Sequence, residues 1–183
     1  MNATTTEAGT AQNPVAPSFT DLNCGDFGLR IDREGIWSYH GSPITRQPLV
    51  RLFASVLQRD PDGDFWLVTP VERGRIQVDD APFIGVELTV DGSGADQKLT
   101  LRTNLDDKVE IGENHPLRVE TDPASGTPRP YVSVRGGLEA RLGRSVFYEL
   151  VELGHEETVD GEALFGVWSN GKFFPLGSLT EPA

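Results

Sequence analysis

Hydrophobic and polar positions alternate along this chain with two different periods. Leu29-Arg30-Ile31-Asp32 and Ile36-Trp37-Ser38-Tyr39 flank Arg33-Glu34-Gly35, a turn with glycine where positive φ costs least, and predict a hairpin. Gly41-Ser42-Pro43 stops its second strand. Leu49, Leu52, Phe53, Val56 and Leu57 then recur at i, i+3, i+4, i+7 and i+8, one apolar stripe on a helix over 46–59. Pro48 suits the first turn, where no helical hydrogen bond is lost, and Asp60-Pro61-Asp62-Gly63 ends the helix. Phe65-Trp66-Leu67-Val68 reads as a buried strand, paired with Arg75-Ile76-Gln77-Val78 across Arg73-Gly74.

The same order then returns. After a hairpin of Ile84–Val90 with Leu99–Thr103, wet on one face, and a short strand at Lys108–Ile111, Leu117-Arg118-Val119-Glu120 repeats the opening strand. Tyr131-Val132-Ser133-Val134 follows, then a helix-like stretch over 141–153. The closing hairpin is Leu164–Trp168, Asn170-Gly171 and Phe173-Phe174, with a type I′ signal at its turn. At an offset of 95 residues Ser38 falls on Ser133, Gly41 on Gly136, Arg46 on Arg141 and Val56 on Val151. The pattern predicts an α+β fold of antiparallel sheets in two small subdomains, each reading hairpin, helix, hairpin. They cover 21–80 and 81–183, the second with a short C-terminal tail, and a seam between related halves is a natural place for a binding site.

Composition narrows the picture. The chain has 183 residues, 37% hydrophobic and 24% charged, ordinary for a soluble globular protein. Residues 1–20, rich in Thr, Ala and Pro, lack the basic start and apolar core of a secretory signal and read as a disordered tail. No apolar run approaches the roughly 20 residues that span a bilayer. A single cysteine, Cys24, excludes an intrachain disulfide framework and a cysteine-cluster metal site, and a cytoplasmic location follows as the default. The net charge of −12 argues against nucleic-acid binding and adsorption to anionic membranes. Nearly all basic residues are arginine, suited to ordered ion pairs and to bidentate recognition of carboxylate or phosphate.

Three stretches carry a resemblance: Trp37-Ser38-Tyr39-His40-Gly41-Ser42-Pro43-Ile44, Leu49-Val50-Arg51-Leu52-Phe53-Ala54-Ser55-Val56-Leu57, and Trp66-Leu67-Val68-Thr69-Pro70-Val71-Glu72-Arg73-Gly74. In this order they resemble a bacterial family catalogued as domain of unknown function 1285, and the likeness covers about residues 20–180. The resemblance implies an α+β fold of two subdomains with repeated motifs, the C-terminal one superficially like pleckstrin-homology folds, and a suggested role in signal transduction. It supplies no catalytic residue.

The candidate chemistry is sparse. Asp60, Asp62 and Asp64 lack the order of a calcium loop, since Gly63 precedes the third acid and Val71 stands where the bidentate Glu belongs. His40, His115 and His155 have no metal-like neighbours, and no nucleophile elbow, phosphate loop or dinucleotide fingerprint is present. We therefore expect no metal and no cofactor. The two helix starts are the least ordinary feature. His40-Gly41-Ser42 precedes Arg46, and Arg135-Gly136-Gly137 precedes Arg141. Exposed first-turn amides and guanidinium groups favour an anion, although pairing with nearby acids is the commoner use of such arginines.

The function expected from the residues is a non-catalytic regulatory protein that binds a small anionic ligand or a peptide or protein partner at the seam. Tyr39, His40, Arg46, Trp66, Arg135 and Arg141 are the expected contacts. One alternative is a hydrolase with a His40- or carboxylate-centred site. Another is an interaction scaffold acting through an exposed sheet edge.

Overall fold

A computed structural model describes residues 24–179. The expected tail at 1–20 lies outside the described residues. The first half runs β1 (Cys24–Ile31), β2 (Trp37–Tyr39), β3 (Ser42–Pro43), α1 (Gln47–Ser55), β4 (Leu57–Arg59), β5 (Phe65–Val68) and β6 (Arg73–Val78). The second half opens with an extra meander, β7 (Phe83–Asp91), β8 (Lys98–Thr103) and β9 (Lys108–Glu110). Then come β10 (Leu117–Thr121), β11 (Pro128–Arg135), β12 (Leu138–Leu142), α2 (Arg144–Glu152), β13 (His155–Val159), β14 (Glu162–Ser169) and β15 (Lys172–Ser178). Both halves thus contain three strands, a nine-residue helix and three further strands. The fold is α+β with the unit repeated.

The two copies close differently. In the first, β1 pairs in parallel with β6, joining both meanders into one sheet ordered β3-β2-β1-β6-β5-β4. In the second, β12 pairs in parallel with β7, giving β10-β11-β12-β7-β8-β9, and β13-β14-β15 forms its own sheet with β15 beside β10. Every other strand pair is antiparallel, so the sheets are mostly antiparallel, with one parallel pair in each large sheet. A parallel pair needs a long crossover, which the path through α1 supplies in the first copy.

Element boundaries depart from the periodicity for a common reason. α1 ends at Ser55 instead of 59, because Leu57–Arg59 leaves the helix to pair with β5, Leu57 opposite Leu67. α2 starts at Arg144, so Arg141 lies on β12, where Leu138, Ala140 and Leu142 are buried in strand alternation. Arg73 and Gly74 belong to β6, opposite Val68 and Leu67, and the turn is Thr69–Glu72, closed by Thr69 N–H to Glu72 O at 2.9 Å. The Phe27 ring covers Gly74 so closely that a Cβ there would lie 2.3 Å from it.

One core runs through both halves, from Leu29, Ile31, Trp37, Val50 and Ala54 to Phe83, Leu101, Val132, Leu150, Val167 and Phe174. The β14–β15 turn, with Asn170 and Gly171 at positive φ, locks onto the extra meander. Buried Ser169 accepts from Leu99 N–H at 3.0 Å and donates to Ile111 O at 2.6 Å. No helix among the described residues is long and apolar enough to cross a membrane.

The β1–β2 turn is part of the seam. Asp32 Oδ1 accepts from the amides of Glu34 (3.0 Å) and Ile36 (2.8 Å), which holds Gly35 at φ +77°. A Cβ on Gly35 would meet Ile84 Cγ1 at 2.8 Å and Asn104 Nδ2 at 2.9 Å. Gly35→Ala is therefore expected to cost roughly 1–3 kcal/mol, through both backbone strain and overpacking. Urea unfolding should show the midpoint falling; an unchanged midpoint would mean the halves do not press together here.

Candidate functional site

The seam contains two of the expected contacts, and both serve the fold. Arg135, at the end of β11, donates from Nη2 to Ala54 O at 2.8 Å, in the last turn of α1, a carbonyl that also accepts a backbone N–H at the helix cap. Its Nη1 lies 3.2 Å from Asp107 Oδ2, and its guanidinium sits over the Phe83 ring, 5.0 Å from the centroid. Arg141 Nη2 donates to Arg33 O at 2.5 Å. Its Nε lies 3.1 Å from Asp80 Oδ2, within ion-pair distance but not aligned as a hydrogen bond. Arg51 of α1 pairs with Asp106, and Arg59 Nη1 reaches Gly137 O at 3.4 Å.

Asp80, between β6 and β7, also accepts from Tyr131 Oη at 2.7 Å. Burial, reinforced by this acidic neighbour, pushes the Tyr131 phenol up to about 12. The hollows left along the seam are small, about 230 Å³ by Leu57, Arg135 and Leu138 and about 200 Å³ by Asp80, Arg118 and Tyr131. The expectation of two matched arginine-bearing helix starts does not hold. Arg46 is the N-cap of α1, but the N-cap of α2 is Gly143, and Arg141 is a strand residue tied across the seam.

The other expected contacts separate into two groups. Trp66 donates from Nε1 to Asp60 at 2.8 Å and lies beneath the Arg73 guanidinium, 3.8 Å from the ring centroid, so it helps hold the α1–β5 connection. Asp60 also accepts from Asp64 N–H at 2.8 Å, which makes the acid-rich loop a turn. Tyr39, His40 and Arg46 are exposed at the opposite edge of the first sheet. His40 and Gly41, both at positive φ, turn β2 into β3. The His40 ring rests over Gly28 and edge-on to Tyr39, with centroids 4.3 Å apart. It makes no side-chain hydrogen bond to an acid or hydroxyl among the described residues, as a catalytic base would need.

The largest concavity, about 920 Å³, lies on the outer face of the first sheet. Its two arginines are already paired. Arg30 clasps Asp79 with Nε to Oδ1 at 2.9 Å and Nη2 to Oδ2 at 2.6 Å, holding that carboxyl below the usual range, and Arg75 pairs with Asp64. Among the described residues no group of three or more His, Cys, Asp or Glu side chains could hold a metal.

A different concavity, about 510 Å³, runs between α1 and the strands. Phe27, Leu29, Tyr39, Ile44, Leu49, Phe53, Val56 and Leu67 line it, with Thr69 and Glu72 at one end. The residues α1 buries outright are Val50 and Ala54, one position round from the stripe that periodicity selects. Phe53 and Val56 pack partly against the core, Phe53 stacked on Trp37. Leu49, Phe53 and Val56 face the groove only half-buried, and Leu52, 60% exposed, stands outside it. Tyr39 is 52% exposed, and Val71, in the turn that supplies Thr69 and Glu72, is 80% exposed. Arg46, the N-cap residue three before Leu49, has no hydrogen bond or ion pair from its side chain among the described residues. Sequence reasoning found Tyr39 and Arg46 but read Leu49, Leu52, Phe53, Val56 and Leu57 only as a single apolar stripe along the helix. The missed signal is the second apolar pair, Val50 and Ala54, on a helix of nine residues.

These features define a two-part α+β protein whose halves are tied along a partly exposed seam, with an apolar groove on its N-terminal half. The chain belongs to the DUF1285 family. It matches that family's N-terminal domain, a domain of unknown function, over residues 14–81, and its C-terminal domain, also of unknown function, over residues 82–176. A DUF1285 family protein from Silicibacter pomeroyi DSS-3 is 47% identical, covering 87% of this chain and 85% of its own, with a TM-score of 0.80. Another, from Shewanella baltica OS155, is 27% identical over 68% of this chain and 91% of its own, with a TM-score of 0.54. No curated protein matches the chain.

The seam can be read by titration. Because its pKa is raised on folding, Tyr131 stabilises the native state fully below the unfolded value near 10, and this is lost as pH rises toward about 12. Ultraviolet titration of tyrosinate should show a step near pH 12 that disappears in Tyr131→Phe. A native protein whose tyrosines all ionise by pH 10.5 would contradict the buried Tyr131–Asp80 contact.

Proposed function

We propose that this chain is a non-catalytic, partner-binding regulatory protein, and that its contact surface is the groove beside α1 instead of the seam. One observation carries the reading: α1 has more apolar surface than its core contact uses, and the excess is exposed beside a groove. Exposed apolar patches rimmed by polar residues are typical of interaction sites. Tyr39, Leu52 and Val71 extend that surface past the groove itself, which favours a macromolecular partner over an enclosed small ligand. A regulatory role, including one in signalling, asks only for selective association. His40, exposed and without an acid partner, gives the hydrolase reading no support.

Replacing Leu52 by the photo-crosslinking residue p-benzoylphenylalanine in the native host tests this reading. A discrete protein adduct is expected at position 52, absent when the same residue replaces exposed Val90 on β7, and absent when Leu49→Asp is added. No adduct at position 52, or the same adducts from both positions, would rule the groove out as the contact surface.

A further inference from the structure

The groove has an electrical polarity as well as an apolar floor. Arg46 stands toward one end, at the start of α1 between the lining residues Ile44 and Leu49, where no acidic side chain occupies the first turn. The other end is fixed by the chain path. Val68 N–H donates to Val56 O at 2.9 Å, so the β5–β6 turn that follows lies at the C-terminal end of α1. That turn brings Glu72 to the groove, and its carboxylate makes no ion pair among the described residues. Arg46 and Glu72, each without an ion pair among the described residues, thus lie toward the two ends of one groove.

We infer that the partner presents a short amphipathic helix whose apolar face fills this groove, with an acidic side chain at the end meeting Arg46 and a basic one at the end meeting Glu72. The inference rests on the partner-binding reading above. Length supports a helix: from Leu49 to Val56 the stripe runs about 10 Å at roughly 1.5 Å per residue, the span of two turns of a helix laid alongside. Recognition of this kind uses apolar anchors at i, i+3, i+4 and i+7. The flanking charges select among such helices, since an end of the wrong sign faces a like charge.

Three fluorescein-labelled synthetic 12-residue helices test it by anisotropy against the full chain. All carry leucine at i, i+3, i+4 and i+7; the first has one acidic and one basic end, the second two acidic ends, the third two basic ends. The native protein should prefer the first by about fivefold, the upper range for one exposed ion pair. Arg46→Glu, which makes both groove ends acidic, should move the preference to the third peptide. Glu72→Arg should move it to the second, and circular dichroism should show both variants folded. Equal binding of all three, no binding of any, or preferences that ignore the two substitutions would overturn the inference. So would a dimer in sedimentation that Leu52→Asp disperses, since a second copy would then fill the groove. Adducts at position 52 without these preferences would leave the contact surface standing and remove only the partner's charge pattern.

Discussion

The guanidinium of Arg135 is the tie on which the arrangement depends. It reaches from the last residue of β11 across the seam to the carbonyl of Ala54, in the final turn of α1, while pairing with Asp107 and covering Phe83. Three constraints meet in one planar group: a helix end receives a donor, a carboxylate receives a counter-charge, and an aromatic ring receives a cation. Because the group bridges two copies of one folding unit, it fixes how they meet. Arg141 on the carbonyl of Arg33 and Tyr131 on Asp80 extend the tie along the seam. With these donors engaged, the seam is a closed joint whose rim stays in solvent.

That closure sets what remains outside. α1 turns Val50 and Ala54 into the common core, and Arg51 toward Asp106 of the second half. The opposite side of the helix is left facing the shallow edge formed by β1, β2 and β5. There Leu49, Phe53 and Val56 are half-buried and Leu52 is open. The helix in the second copy is hemmed in by β7 and β14, as the extra meander and the separate third sheet take up the space around it. A concavity of about 530 Å³ also flanks α2, lined by Phe147 and Tyr148 with Arg141 and Arg144. Both copies therefore keep a hollow beside the helix, and that of the first copy is the less charged.

The order of the repeated unit was legible because each strand and helix carries its own local period. Its boundaries were less so where two periods coincide. Leu57 continues a helical stripe at i+8, yet it begins β4 because Leu67 offers a ladder partner. Leu138-Glu139-Ala140-Arg141-Leu142 alternates as a strand should, and an alignment of Arg141 with Arg46 hid that alternation. The parallel pairs β1–β6 and β7–β12 join strands distant in sequence, and no local pattern announces them. The candidate site was half legible. Tyr39 and Arg46 stood out by type and position, but the choice between two apolar stripes on α1 is made by tertiary packing, invisible in a single helix.

The central claim is that the seam is a structural joint, with binding left to the flank of α1. Native-state amide hydrogen exchange of Arg135→Ala tests it directly, because the change leaves the buried Ala54 carbonyl without the guanidinium donor. The most protected amides of α1 and of β11 should lose protection together, by about 1–3 kcal/mol, as expected when one joint holds both halves. Loss confined to α1, or protection unchanged in both, would contradict it.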